Sequence, residues 1–141
     1  MEVAERLDYP SLVDALDEGF RSGINAPLRH HHVLPVARKR DATMLLMPAW
    51  NTSFIGLKTV IVVPENGLND LPAVQANCQL MDRETGQLLA YMDGAEITAR
   101  RTASASALAS RYLSRPGARR LAMVGTGVLA SHLIRAHATQ R

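Results

Sequence analysis

Lys58 sits inside SFIGLKTVIVV, where counting by twos puts Phe54, Gly56, Lys58, Val60 and Val62 on one face of a strand. Ile55, Leu57, Thr59, Ile61 and Val63 share the other. Both faces are apolar, so the strand is expected to be covered on each side, and a cation at its middle is costly unless something anionic meets it. A lysine stem snorkelling past a strand edge is the competing reading. Gly56, on the same face, leaves room for a ligand.

Two more basic sites invite the same question. In ITARRTASAS, the adjacent helical residues Arg100 and Arg101 point about 100° apart, so one can face solvent while the other faces inward with Ser104 and Ala105. A planar guanidinium suits a carboxylate or phosphate, although a solvated arginine is the commoner case on a helix. In PLRHHHVLP, a strand reading sets Arg29, His31 and Val33 on one face and Leu28, His30, His32 and Leu34 on the other. Only two of the three histidines share a face, and no Cys or carboxylate has matching spacing, so no metal site is expected. Packing and hydrogen bonding around Arg29 are their expected roles.

Near the C-terminal end, Leu121 to Val124 run into Gly125-Thr126-Gly127-Val128-Leu129-Ala130. In such a loop the first glycine permits a tight turn, the second lets backbone approach a pyrophosphate, and a small residue at the third position lets helix and strand pack closely. The N–H groups opening the helix then face the negative charge. A strand at 119–124 before the loop and a helix after it are the context this reading requires.

The elements that must position these groups fall into two textures. SLVDALDEGFRS, residues 11–22, places Leu12, Leu16 and Phe20 on one helical face, with Ser11 to cap it and Gly23 to end it. From Pro27 to Met92, short apolar or alternating runs are separated by turns at RKRD, PAWN, PENGLND and RETG, which predicts an antiparallel meander of about five strands. An Ala-rich helix follows from about 94 to 114, stopped by Pro116-Gly117. Its small side chains allow close approach by a neighbouring backbone. The fold class is α+β: an N-terminal helix and antiparallel sheet over residues 1–116, then the first β-α unit of a truncated Rossmann domain over 117–141.

Composition narrows the function classes. At 47% hydrophobic and 21% charged residues, the chain is neither disordered nor membrane-like, and no apolar run approaches the roughly 18 to 20 residues of a span. Cytoplasmic residence is the default expectation. The single cysteine, Cys78, excludes an internal disulfide and is expected to be a buried small apolar side chain. With Arg38-Lys39-Arg40 and Arg119-Arg120 the only tight basic clusters and aromatics at 4%, nucleic acid is not an expected partner.

Taken together, APLRHHHVLP, LLMPAW, GLKTV, LMDRETGQLLAYMDG, ITARRTASASALASRYL and MVGTGVLASHL resemble, in order and spacing, the ornithine cyclodeaminase and mu-crystallin family. The wording is similar to the bacterial branch of pyrroline-2-carboxylate or ketimine reductases. The resemblance implies a homodimeric two-domain enzyme: a first domain that binds a small amino or imino acid and dimerises through its sheet, and a Rossmann domain that holds NAD(H) or NADP(H). It carries the substrate-carboxylate arginine onto Arg29, the active-site lysine onto Lys58 and the helix arginine onto Arg101, which leaves Arg100 as the outward member. Thr102 falls where the family brings this helix near the cofactor, and Gly125, Thr126, Gly127, Val128 and Leu129 fall on the cofactor loop. Lys58 could serve in proton transfer if two arginines and burial disfavour its ammonium form.

An acidic residue about 20 positions past the glycines and further strands complete a nucleotide domain. Residues 1–141 are therefore expected to be the N-terminal part of a protein of about 300 residues, inactive alone. The alternative from another class is a non-enzymatic, mu-crystallin-like binding or dimerisation module.

Overall fold

The computed structural model describes residues 3–37 and 39–140. They form two compact units: one is Ile24–Ala95, and the other joins the stretch up to Gly23 with the stretch from Glu96 onward.

The first unit is the expected meander. Strands β1 (His30–Leu34), β2 (Ala42–Trp50), β3 (Phe54–Val62), β4 (Val74–Asp82) and β5 (Leu88–Asp93) form one sheet in the order β1-β2-β3-β4-β5, every neighbouring pair antiparallel. The turns are local. Asn51 Oδ1 accepts from the backbone N–H groups of Ser53 and Phe54 at 2.9 and 2.8 Å, which turns β2 into β3. Asp82 Oδ1 accepts from the backbone of Glu84 and Thr85 and from the Thr85 hydroxyl, and Gly86 supplies the positive φ of 71° between β4 and β5. These bonds, the one from the Thr85 backbone foremost, hold the Asp82 carboxyl below its ordinary pKa. The turn expected at residues 38–41 includes Arg38, which lies outside the described residues.

Coverage of β3 differs from the expectation. Val60 is its only buried residue, Phe54 is exposed, and the other seven are half-buried on both faces. A strand with paired neighbours on each side satisfies its backbone without full coverage of either face.

The second unit is helical. Short α1 (Val3–Arg6) leads into α2 (Tyr9–Ser22), and α3 (Gly94–Leu113) and α4 (Val128–Ala138) complete it. Helix α2 starts two residues before the expected Ser11: Asp8 is the N-cap, its carboxylate accepting from the Ser11 N–H at 3.0 Å, and Pro10 occupies the first turn, where no N–H is needed. Gly23 closes it at φ 75°, as expected. The packed face is also displaced from the expected one. Tyr9 and Val13 are buried, Leu16 packs against them, and Phe20 is 74% exposed. With the helix opening at Tyr9, the spacing 9, 13, 16 defines the stripe.

Helix α3 supplies the small residues that this packing needs. Ala99, Ala103, Ser104, Ala107 and Leu108 are buried, and Tyr9, Val13, Ala103, Ala107, Leu108 and Ala136 form one cluster with Leu16 and Leu133 against it. Polar bonds lock the same three helices. Ser106 Oγ is 3.0 Å from His137 Nε2, Arg111 donates to Asp14 and Gln140 at 2.8 and 2.7 Å, and Tyr112 donates to Asp17 at 2.7 Å.

The strand expected at 119–124 is not formed: these residues have no regular structure, and Leu121 and Val124 are 52% and 97% exposed. A strand is defined by its ladder, and among the described residues no partner lies alongside this segment.

Candidate functional site

Register in the sheet decides what surrounds Lys58. Its cross-strand partners are Met47 on β2 and Cys78 on β4, and Cys78 in turn pairs with Met92 on β5. Opposed residues in antiparallel strands share a face, so one row reads Met47, Lys58, Cys78, Met92. Lys58 is half-buried at the centre of the sheet. Cys78 is half-buried as well, less covered than the buried small apolar side chain its alternating context suggested. No periodicity count could have found these sulfur neighbours, because they follow from pairing and not from local sequence.

Arg29 stands one residue before β1 and is exposed. The expectation of a strand through Arg29 is thus corrected: the ladder with β2 opens at His30↔Leu46. Continued by one residue, that register sets Arg29 beside Met47 and hence in line with Lys58, two strands away, or about 10 Å between backbones. Long basic side chains span such a gap. His30 and His32 lie on one face as expected, with ring centroids 6.5 Å apart. Among the described residues, no three His, Cys, Asp or Glu side chains are grouped to hold a metal ion.

The two arginines of α3 are placed opposite to the expectation. Arg100 is the inward one, with its side chain 13% exposed: its guanidinium pairs with Glu96, donates to the Leu7 carbonyl at 2.7 Å and lies 5.2 Å over the Tyr9 ring. Arg101 is exposed and Thr102 half-buried. The reason is the approach to α2: the Leu7 carbonyl just before it and the Tyr9 ring in its first turn meet Arg100, while Glu96 on α3 takes another of its donors. Arg101 therefore keeps its fork open to solvent.

The glycine loop forms half of its expected context. Gly125 adopts φ 104°, which favours glycine, and Gly127 is the extended N-cap of α4 at φ −68° and ψ 173°. No side chain caps the helix, and a Cβ added at Gly125 or Gly127 would meet nothing within 4 Å, so the loop is open to a close approach. Thr126, Val128 and Leu129 are exposed. These features fit a phosphate group at the helix start. Lys58 and Arg29 belong to the sheet unit; Arg101, Thr102 and residues 125–129 belong to the helical unit.

Tyr9, Glu96 and His132 carry the helical network, and none was singled out in the sequence. A Tyr and a His separated by 123 positions give no local signal of their contact. Gly94 was noted only as a boundary, yet a Cβ there would lie 2.6 to 2.8 Å from the backbone and Cβ of Ala76 and the N of Asn77.

The family model for "Ornithine cyclodeaminase/mu-crystallin family" matches residues 1–141. A delta(1)-pyrroline-2-carboxylate reductase of Colwellia psychrerythraea is 37% identical over 142 residues, covering 99% of this chain and 45% of that protein. Among solved structures, the iminosuccinate reductase of Paracoccus denitrificans in complex with NAD+ superimposes with TM-score 0.82 at 26% identity, covering 96% of this chain and 43% of the other. The delta(1)-pyrroline-2-carboxylate reductase of Thermococcus litoralis, in complex with NADH and L-proline, does so with TM-score 0.62 at 31% identity, covering 77% and 35%. This chain thus spans less than half the length of these relatives.

Proposed function

The chain belongs to the ornithine cyclodeaminase/mu-crystallin family, and on that footing we propose that the protein works as a cytoplasmic, homodimeric, NAD(H)- or NADP(H)-dependent enzyme of amino-acid or imino-acid metabolism. Its reaction is ketimine reduction or the related cyclodeamination. Residues 1–116 serve substrate binding and dimerisation, and 117–141 open the nucleotide domain.

In this reading Arg29 and Lys58 are the carboxylate ligands of the sheet unit, and the exposed guanidinium of Arg101 is an anion-binding group of the helical unit. Lys58 also holds a proton toward the substrate nitrogen, which makes the C=N carbon a better acceptor. Backbone N–H groups of Gly125 to Leu129 hold the pyrophosphate, and Thr102 borders the nicotinamide. When bound, the cofactor supplies hydride chemistry.

The observation that most supports the reading is the row through Lys58. Met47, Cys78 and Met92 share that row, so the half-buried Lys58 sets the positive charge of an otherwise apolar stretch of the sheet, which suits an anionic ligand. The test is to purify the protein from its source cells and mix it with NADH or NADPH and cyclic imino acids such as Δ1-pyrroline-2-carboxylate. Substrate-dependent loss of reduced-nicotinamide absorbance is expected. Tight binding of the same acids with no turnover would favour a binding module instead.

A further inference from the structure

Gly56 is the third residue of β3, the central strand of the sheet, and nothing among the described residues requires a glycine there. Its φ is not among the positive ones, which among the described glycines belong to Gly23, Gly86 and Gly125. A Cβ built on it would meet only the Ala49 carbonyl oxygen, at an ordinary 3.8 Å. Gly94 is the contrast, since there a Cβ would overlap backbone. Glycine inside a strand weakens it and leaves no side chain to pack, so a position that could hold alanine without a clash carries a cost the fold does not recover.

The surroundings say what the space is for. Along β3, Gly56 lies between Phe54 and Lys58 on one face; across the sheet it pairs with Ala49 and Leu80. Glycine and alanine thus make a low floor, Leu80 stands at one side as an apolar wall, and Phe54 and the lysine stand at its two ends. Phe54 is 43% exposed, so the wall is accessible.

We infer that Gly56 is a specificity-determining residue: it opens an apolar recess beside Lys58 that takes the carbon skeleton of a small acid while the carboxylate meets the lysine. The inference rests on the carboxylate role proposed for Lys58. It narrows the substrate class to acids whose carbon next to the carboxylate bears an apolar ring or aliphatic chain, because the residues directly opposite Gly56, Ala49 and Leu80, are apolar, and Asp82, opposite Phe54 on the same face, has its Oδ1 engaged by Glu84 and Thr85.

The experiment compares wild type with Gly56→Ala and Gly56→Val, using acetate and L-proline as inhibitors of imine reduction and thermal melting as a control. The inhibition constant of acetate is expected to stay within twofold in both variants. That of L-proline should rise at least tenfold in Gly56→Val and less in Gly56→Ala, with KM for the nicotinamide unchanged and the melting midpoint of Gly56→Ala no lower than wild type. Equal inhibition by L-proline in all three proteins would overturn the inference, as would a lowered midpoint for Gly56→Ala. If neither acid inhibits wild type, the carboxylate role of Lys58 fails first and the recess fails with it.

Discussion

The Tyr9 hydroxyl lies 2.9 Å from Nδ1 of His132, and the two rings meet edge to face at 6.4 Å. With Arg100 over the tyrosine ring as well, one side chain of α2 joins α3 to α4. Tyr9→Phe keeps the ring and loses the hydrogen bond, which should cost about 1 kcal/mol. Tyr9→Ala removes the ring from the core and should cost about 3 to 5 kcal/mol. Urea denaturation of the two variants checks the ratio; equal losses would show that the ring does not pack as described.

Arg100 and Arg101 should separate stability from ligand binding. Arg100→Gln breaks the bonds to Glu96 and the Leu7 carbonyl and is expected to cost about 1 to 3 kcal/mol. Arg101→Gln, at an exposed position, should leave the denaturation midpoint within about 0.5 kcal/mol of wild type. If Arg101 binds the carboxylate, its loss raises KM for the acid by about tenfold or more, the equivalent of one charge-assisted bond.

Gly94 marks the place where β5 turns into α3 against Ala76 and Asn77. Because the overlapping atoms are mostly backbone, Gly94→Ala must shift the strand, and a loss of about 1 to 3 kcal/mol is expected. Melting curves beside those of Gly56→Ala make the comparison internal: one glycine is demanded by the fold and the other is not.

Acid should loosen the helical unit at Asp17. The Tyr112 hydroxyl, and then Arg21, hold its carboxyl below the ordinary aspartate pKa. A depressed folded pKa means that the stabilisation is fully present above the unfolded value and is lost as pH falls through the folded value. Stability should therefore decline below the ordinary aspartate range, and Asp17→Asn should flatten that decline. An unchanged acid slope in Asp17→Asn would show that Asp17 does not set the acid dependence.

Much of this was legible in the sequence because it is local. Turn residues at Asn51, Asp82 and Gly86 delimit strands by their own side chains or φ, and the alanines of α3 fix its length and its buried stripe. What was not legible depends on pairing. The inward choice of Arg100 over Arg101 is made by α2, far away in sequence, and the Met47 and Cys78 neighbours of Lys58 depend on register. The segment 119–124 shows the converse: its apolar run reads as a strand, but a run without a neighbouring ladder stays irregular.

The glycine loop alone should bind nucleotide poorly. Residues 125–129 offer backbone to a pyrophosphate and little to the rest of a dinucleotide, so a recombinant polypeptide of residues 1–141 is expected to show weak or no NADH affinity in a fluorescence titration. Micromolar binding would contradict this.

Under the proposed function Lys58 meets a substrate carboxylate and its neighbouring nitrogen, and the decisive measurement is kcat/KM of Lys58→Gln toward cyclic imino acids. A loss of about a hundredfold or more is expected, with a melting midpoint and nicotinamide KM close to those of wild type. A variant that turns over these acids as fast as wild type would contradict it.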